Sequence, residues 1–102
     1  MADLQQLFQL GQQVQGRLQQ LQIELAGRTV EASAGAGLVR ATVDGQGRVR
    51  SVVIDLEAFE GRDAELLSDL VTSAVAEAQR QAADFAQAEM RKVQPGSAGL
   101  GL

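Results

Sequence analysis

Between Ser33 and Asp55 the chain reads SAGAGLVRATVDGQGRVRSVVID, two glycine-marked reversals set into a run of alternating apolar residues. Alternation with a period of two belongs to strands, and short glycine-containing reversals between such runs belong to hairpins. The segment therefore predicts a three-stranded antiparallel meander, with strands near 28–34, 38–44 and 48–55. On both sides the apolar residues recur three and four apart, which is helical spacing. The order helix, strand, strand, strand, helix makes this an α+β chain.

Strand pairing follows from the side chains. Setting Ser33 opposite Leu38 brings Glu31 opposite Arg40 and Ala32 opposite Val39, a favourable set of cross-strand neighbours. A three-residue loop, Gly45-Gln46-Gly47 with Gly47 at positive φ, sets Val43 against Val49 and Val39 against Val53. One face of the sheet then carries Val30, Ala32, Val39, Ala41, Val43, Val49 and Val53, a bed for helices. The other carries Glu31, Arg40, Thr42 and Arg50 together with Leu38, Val52 and Ile54. A second apolar cluster rimmed by charge predicts a subunit interface at Leu38, Val52 and Ile54.

The first helix spans about 2–26, and its Leu4, Leu7, Gly11, Val14, Leu18, Leu21 and Leu25 form a heptad seam. Gln, a good uncharged helix former, fills most other positions. Two partners suit that seam: the second helix of the same chain, or a parallel coiled coil with another chain. Phe8, Leu10 and Ile23 lie off the seam and make the apolar surface wider than one partner helix requires. Gly27 predicts a left-handed cap. A short turn at 56–60 follows, capped by Asp55, and the main second helix starts after Asp63 as its N-cap. That helix is rich in alanine from Ala74 onward, which favours close packing against Gly11 and its neighbours. Residues 94–102 predict a flexible tail after a single domain over 1–93.

Composition bounds the chemistry. The chain of 102 residues has no His, Cys, Tyr or Trp and a single Lys, so the usual nucleophiles and near-neutral bases are missing. The acidic group Asp55, Glu57, Glu60 and Asp63 lacks the ligand spacing of a calcium loop and suits helix capping better. GAG and GQG match no nucleotide-binding fingerprint, because no helix start follows them. These points predict a protein that is not an enzyme and has no metal, cofactor or small-molecule substrate. No apolar run has the length of a membrane span, and a cytoplasmic protein is expected. Nine basic residues stand against thirteen acidic ones, a net charge of −4, so a polyanion partner requires charge separated in space.

GAGLVRATVDG, VVIDLEAFEGRDAELLSDLV, the Ala-rich AVAEAQRQA and the Gln-rich opening helix closely resemble the YbaB/EbfC family of bacterial nucleoid-associated proteins, over nearly the whole chain. That resemblance implies a homodimer whose sheets form a central body from which helix pairs project like tweezers. It implies binding of double-stranded DNA with little sequence preference, in the nucleoid, with roles in nucleoid organisation, gene regulation or DNA protection. Where family members commonly carry Lys and Met in the opening helix, this chain carries Gln. The projecting ends would present Arg17, Arg80, Arg91 and Lys92 to phosphates, beside Asp3, Glu77, Asp84 and Glu89, so that the tips are roughly neutral while most of the excess acid, from Asp55 to Asp69, stays at the body. The acidic balance and the wide apolar helix faces also suit a second class of function, a protein-interaction scaffold or holdase.

Overall fold

The computed structural model describes residues 3–93. The expected tail at 94–102 and the Met1 amine lie outside the described residues. The elements run α1 (Leu4–Gly27), β1 (Thr29–Ala34), β2 (Val39–Asp44), β3 (Val49–Ile54), α2 (Glu57–Glu60) and α3 (Ala64–Val93). The three strands form one antiparallel sheet in the order β1-β2-β3. Each helix start has its carboxylate: Asp3 Oδ1 accepts from the Gln5 N–H, Asp55 Oδ1 from Glu57 and Asp63 Oδ1 from Leu66. These bonds satisfy amides that have no partner within the first turn.

The meander is as expected, and its register is not. Ser33 pairs with Arg40 and Ala32 with Ala41, a shift of two residues from the expected pairing, with Gly35 to Leu38 as the loop. Gly35, Ala36 and Gly37 all have positive φ, at 64°, 55° and 90°. A shift by two keeps every side chain on its own face, so the first hairpin retains the expected division of faces. The second reversal is the expected three-residue loop. Asp44 and Gly47 close it with Asp44 N–H donating to Arg48 at 2.9 Å, and Gly47 has φ of 86°.

Past that loop the alternation breaks. Val43 pairs with Val49 as expected, but Thr42 pairs with Ser51, so Arg50 is an extra residue in a β-bulge. The bulge turns over everything after it. Ala41 now pairs with Val52 and Val39 with Ile54, which puts Val52 and Ile54 on the helix side, while Val53 moves to the outer side opposite Arg40. The expected second apolar face therefore does not form. The outer face reads Glu31, Ser33, Arg40, Thr42 and Ser51, with Val53 as its one large apolar member.

Val39, Ala41 and Val43 of β2, with Ala32 of β1, meet Ala74, Ala78 and Ala82 of α3 in the core. Alanine every fourth residue lets the α3 backbone lie close against the valines of the sheet. The alanine row thus packs on the sheet and not on the Gly11 region of α1. Its coverage is lopsided: α3 lies across β1 and β2 and barely touches β3. Gly27 is the last helical residue of α1, with φ outside the left-handed region, because Arg28 at φ −87° and ψ 149° already leads into the strand. Of the heptad seam only Leu21 and Leu25 are buried, Val14 and Leu18 are half-buried, and every residue from Leu4 to Gln13 is exposed.

The shape follows. The described fold measures 71 × 26 × 16 Å with a radius of gyration of 19.8 Å. A compact chain of this length would have about 13 Å.

Candidate functional site

The N-terminal half of α1 projects from the body, and what holds α1 in place is the β2–β3 turn. No basic side chain lies in the last turn of α1 to meet its free carbonyls. The turn supplies the donors instead. Gly45 N–H donates to the Leu25 and Arg28 carbonyls at 2.8 and 3.0 Å, Gln46 Nε2 to Gln22 at 3.2 Å, and Arg50 Nη2 to Ala26 at 3.3 Å. The helix end is capped by another part of the chain.

Asp44 organises that turn. Its side chain is fully buried, and Oδ1 accepts from the Gln46 and Arg48 N–H groups at 2.9 and 3.0 Å. Oδ2 has no hydrogen bond among the described residues and sits 3.3 Å from Arg50 Nη2. Burial pushes the Asp44 carboxyl up, but the two N–H donors and the charges of Arg50 and Arg48 outweigh it and hold the carboxyl below its ordinary value. The bulge therefore has a use: it aims Arg50 at both Asp44 and the end of α1. The sequence reading gave Gly45 and Gln46 a place in the loop and Arg50 one on the outer face, but none of these residues, nor Asp44, a role in holding α1. The signal for the bulge was the unbroken apolar run Val52-Val53-Ile54, which alternation by itself does not explain.

α1 and α3 descend antiparallel from this junction. Arg28 lies over the Phe85 ring with 4.7 Å from Cζ to the ring centre, a cation–π contact, and Leu21 and Leu25 share a small cleft with Phe85 and Glu89. Arg91 and Lys92 follow Glu89 in the last turn of α3. Two of the four expected phosphate-binding residues, Arg91 and Lys92, thus share the last turn of α3, Arg80 lies three turns earlier on the same helix, and Arg17 lies on α1. The described part of α3 ends at Val93. The segment from Leu4 to Arg17 is about 20 Å long at 1.5 Å per residue, and among the described residues its first ten positions are exposed.

The four cations differ in their surroundings. Arg17 and Arg91 are exposed and form no ion pair among the described residues. Lys92 reaches Glu89 at 3.1 Å. Arg80 is occupied: Nε and Nη2 hold both oxygens of Glu77 at 3.0 and 2.6 Å, and Nη1 holds Asp84 at 2.9 Å. The Arg80 and Gln81 hydrogen bonds hold the Glu77 carboxyl down to about 2, and Glu77 in turn raises the Arg80 guanidinium. The spacings of three and four on one helix were the signal for this triad, which the sequence reading passed over in giving Arg80 to phosphates. Six carboxylates, Asp55, Glu57, Glu60, Asp63, Glu65 and Asp69, lie at the opposite end, around α2 and the start of α3. Among the described residues no group of three or more metal-ligating side chains converges, and no helix is long and apolar enough to cross a membrane.

The three expected interface residues differ in their surroundings. Leu38 lies in the first loop, where its carbonyl accepts from Asp55 N–H at 2.7 Å. Ile54 is half-buried against the core, and Val52 is exposed on the part of the sheet that α3 leaves uncovered.

Three comparisons place the chain among known proteins. The model of the YbaB/EbfC DNA-binding family matches residues 1–97. A nucleoid-associated protein from Gemmatimonas aurantiaca is 46% identical over 83 residues, covering 81% of this chain and 80% of the relative. One from Streptomyces avermitilis is 42% identical over 100 residues, covering 98% and 88%. Among solved structures, an uncharacterized protein from Helicobacter pylori shares the fold with a TM-score of 0.76 at 20% identity, over 85% of this chain and 91% of that one. This chain belongs to the YbaB/EbfC DNA-binding family.

Proposed function

We propose that this member of the YbaB/EbfC DNA-binding family is a nucleoid-associated homodimer in the cytoplasm that holds double-stranded DNA by its phosphates, with little sequence preference, and catalyses no reaction. The observation that carries this reading, beside the family itself, is the separation of charge along the long axis. In the half that holds Arg17, Arg80, Arg91 and Lys92 these cations balance Asp3, Glu77, Asp84 and Glu89, and the excess acid lies in the other half, where Asp55, Glu57, Glu60, Asp63, Glu65 and Asp69 surround α2 and the start of α3. Phosphate contacts from such side chains position a duplex without reading its sequence. Arg80, already neutralised by Glu77 and Asp84, contributes less than the other three.

The dimer contact in this reading lies along β3. That strand has one unpaired edge, and Val49, Val52, Leu56 and Phe59 near it are exposed. Open edges and apolar patches of this kind are usually covered in native proteins. Val52 belongs to the contact directly, and Ile54 and Leu38 support it from the half-buried layer.

Titrating the full chain against unrelated duplexes at two salt concentrations tests the DNA reading. Binding that is similar for all duplexes and falls steeply with salt supports it. Absence of binding at low salt favours a scaffold that holds proteins by the exposed apolar face of α1, where Leu4 and Phe8 are each 71% exposed.

A further inference from the structure

The exposed N-terminal segment of α1 is apolar along one side and almost free of charge. Leu4, Leu7, Phe8 and Gly11 line a groove of about 530 Å³ together with Gln12 and Gln15. A side chain added at Gly11 would meet nothing within 4 Å, so the groove is open where the seam has its notch. Nothing in the described fold covers it. DNA is a poor occupant, because no cation lies between Leu4 and Gly16.

We propose that this half of α1 is a homotypic docking surface, and that its occupant is the same segment of a second copy laid antiparallel. Charge selects both the partner and the direction. From Asp3 to Ile23 the only charged side chains are Asp3 and Arg17. They stand two heptads apart, at the same position beside the seam as Leu10. Parallel pairing in register would put Arg17 level with Arg17 and Asp3 level with Asp3. Antiparallel pairing centred near Gln9 brings Asp3 of each copy beside Arg17 of the other, twice, across a two-fold axis. In that arrangement Leu4 comes level with Val14 of the second copy, and Leu7 enters the notch left by Gly11. Flanking charges of this sort set orientation, while the apolar seam supplies most of the affinity. The seam divides its labour accordingly: Leu21 and Leu25 pack within the subunit, and Leu4 to Val14 pack between copies. Because this contact is separate from β3, a copy using both would join dimers into larger assemblies.

Sedimentation of the full chain across a concentration series tests the surface. Leu7→Glu puts a carboxylate into the seam and Phe8→Glu puts one beside it in the groove, each altering a side chain that the subunit leaves exposed. Each is expected to lower the weight-average mass at least twofold, with the circular dichroism spectrum unchanged. An unchanged mass in both variants overturns the proposal. Direction is tested separately. The chain has no cysteine, so Leu10→Cys introduces a single thiol close to the proposed two-fold axis. A short bis-maleimide should then link two copies in high yield, and adding Leu7→Glu should remove the product. Reversing Asp3→Arg should weaken assembly, and the double change Asp3→Arg with Arg17→Asp should restore it. No cross-linking, or no restoration, overturns the antiparallel arrangement. These measurements contain no DNA, so their outcome is independent of the duplex titration.

Discussion

At Gly45 and Gly47 the same residue type is needed for two different reasons, two positions apart. Gly47 has φ of 86° with open space around it, so a side chain there costs conformational energy alone. Left-handed backbone costs an L-residue about 1–2 kcal/mol, and Gly47→Ala should destabilise by that order. Gly45 has no positive φ, but a Cβ would lie 2.5 Å from the Leu25 carbonyl oxygen, which is backbone and cannot turn aside. Gly45→Ala should push α1 off its cap and cost about 1–3 kcal/mol. Denaturant melts of the two variants check the magnitudes, and a hydrogen-exchange increase confined to the end of α1 should mark Gly45→Ala only. Glu77 supplies a pH prediction. Its folded-state value of about 2 lies below the ordinary 4.5, so its contribution is present above pH 4.5 and is lost as pH falls toward about 2. Glu77→Gln should flatten the thermal stability profile in that window. It should also leave Arg80 with Asp84 alone and so strengthen duplex binding at low salt.

Among the elements, β3 departs furthest from its expected role. A one-residue insertion in a strand exchanges its faces, and the bulge at Arg50 does this to everything after it. The exchange separates two residues that the sequence makes look equivalent. Ile54 packs against the core, so Ile54→Asp should unfold the subunit. Val52 is 37% exposed, so Val52→Asp should leave the subunit folded and act on association through β3. Sedimentation combined with thermal melting distinguishes the two. A folded Val52→Asp protein that associates as the parent does would remove β3 from the interface.

For the whole molecule, a net charge of −4 is compatible with a polyanion partner only because the charges are distributed along a 71 Å axis. Over more than about 8–10 Å, salt screens exposed charges from one another, so the acidic body weakly affects Arg17, Arg91 and Lys92 at the other end. With two or three phosphate contacts per subunit, the dimer's log–log salt slope should be roughly −3 to −6, at about −0.9 per contact. Replacing Arg91 and Lys92 together by Gln should lower affinity for unrelated duplexes by similar factors and flatten that slope. Melting temperature should stay the same, since both side chains are exposed. An unaltered slope would take these residues out of the contact.

The order of elements, the carboxylate caps at Asp55 and Asp63 and the Gly45-Gln46-Gly47 loop were legible in the sequence; the cap at Asp3 and the Glu77–Arg80–Asp84 triad were not read from it. Each depends on residues within a few positions of one another, where local geometry fixes the outcome. The family was legible too, because its motifs lie in one continuous stretch. What the sequence left open concerns residues far apart. Whether Arg50 would be a strand residue or a bulge depended on Asp44 and on the end of α1, 24 residues earlier. Which surface the alanines of α3 would choose depended on the valines of β2. How much of α1 would be covered depended on where α3 lies relative to it. Periodicity marks a helix face as apolar without saying what lies against it. Only the packing of distant segments decides that, because burial is a property of pairs of surfaces and not of one.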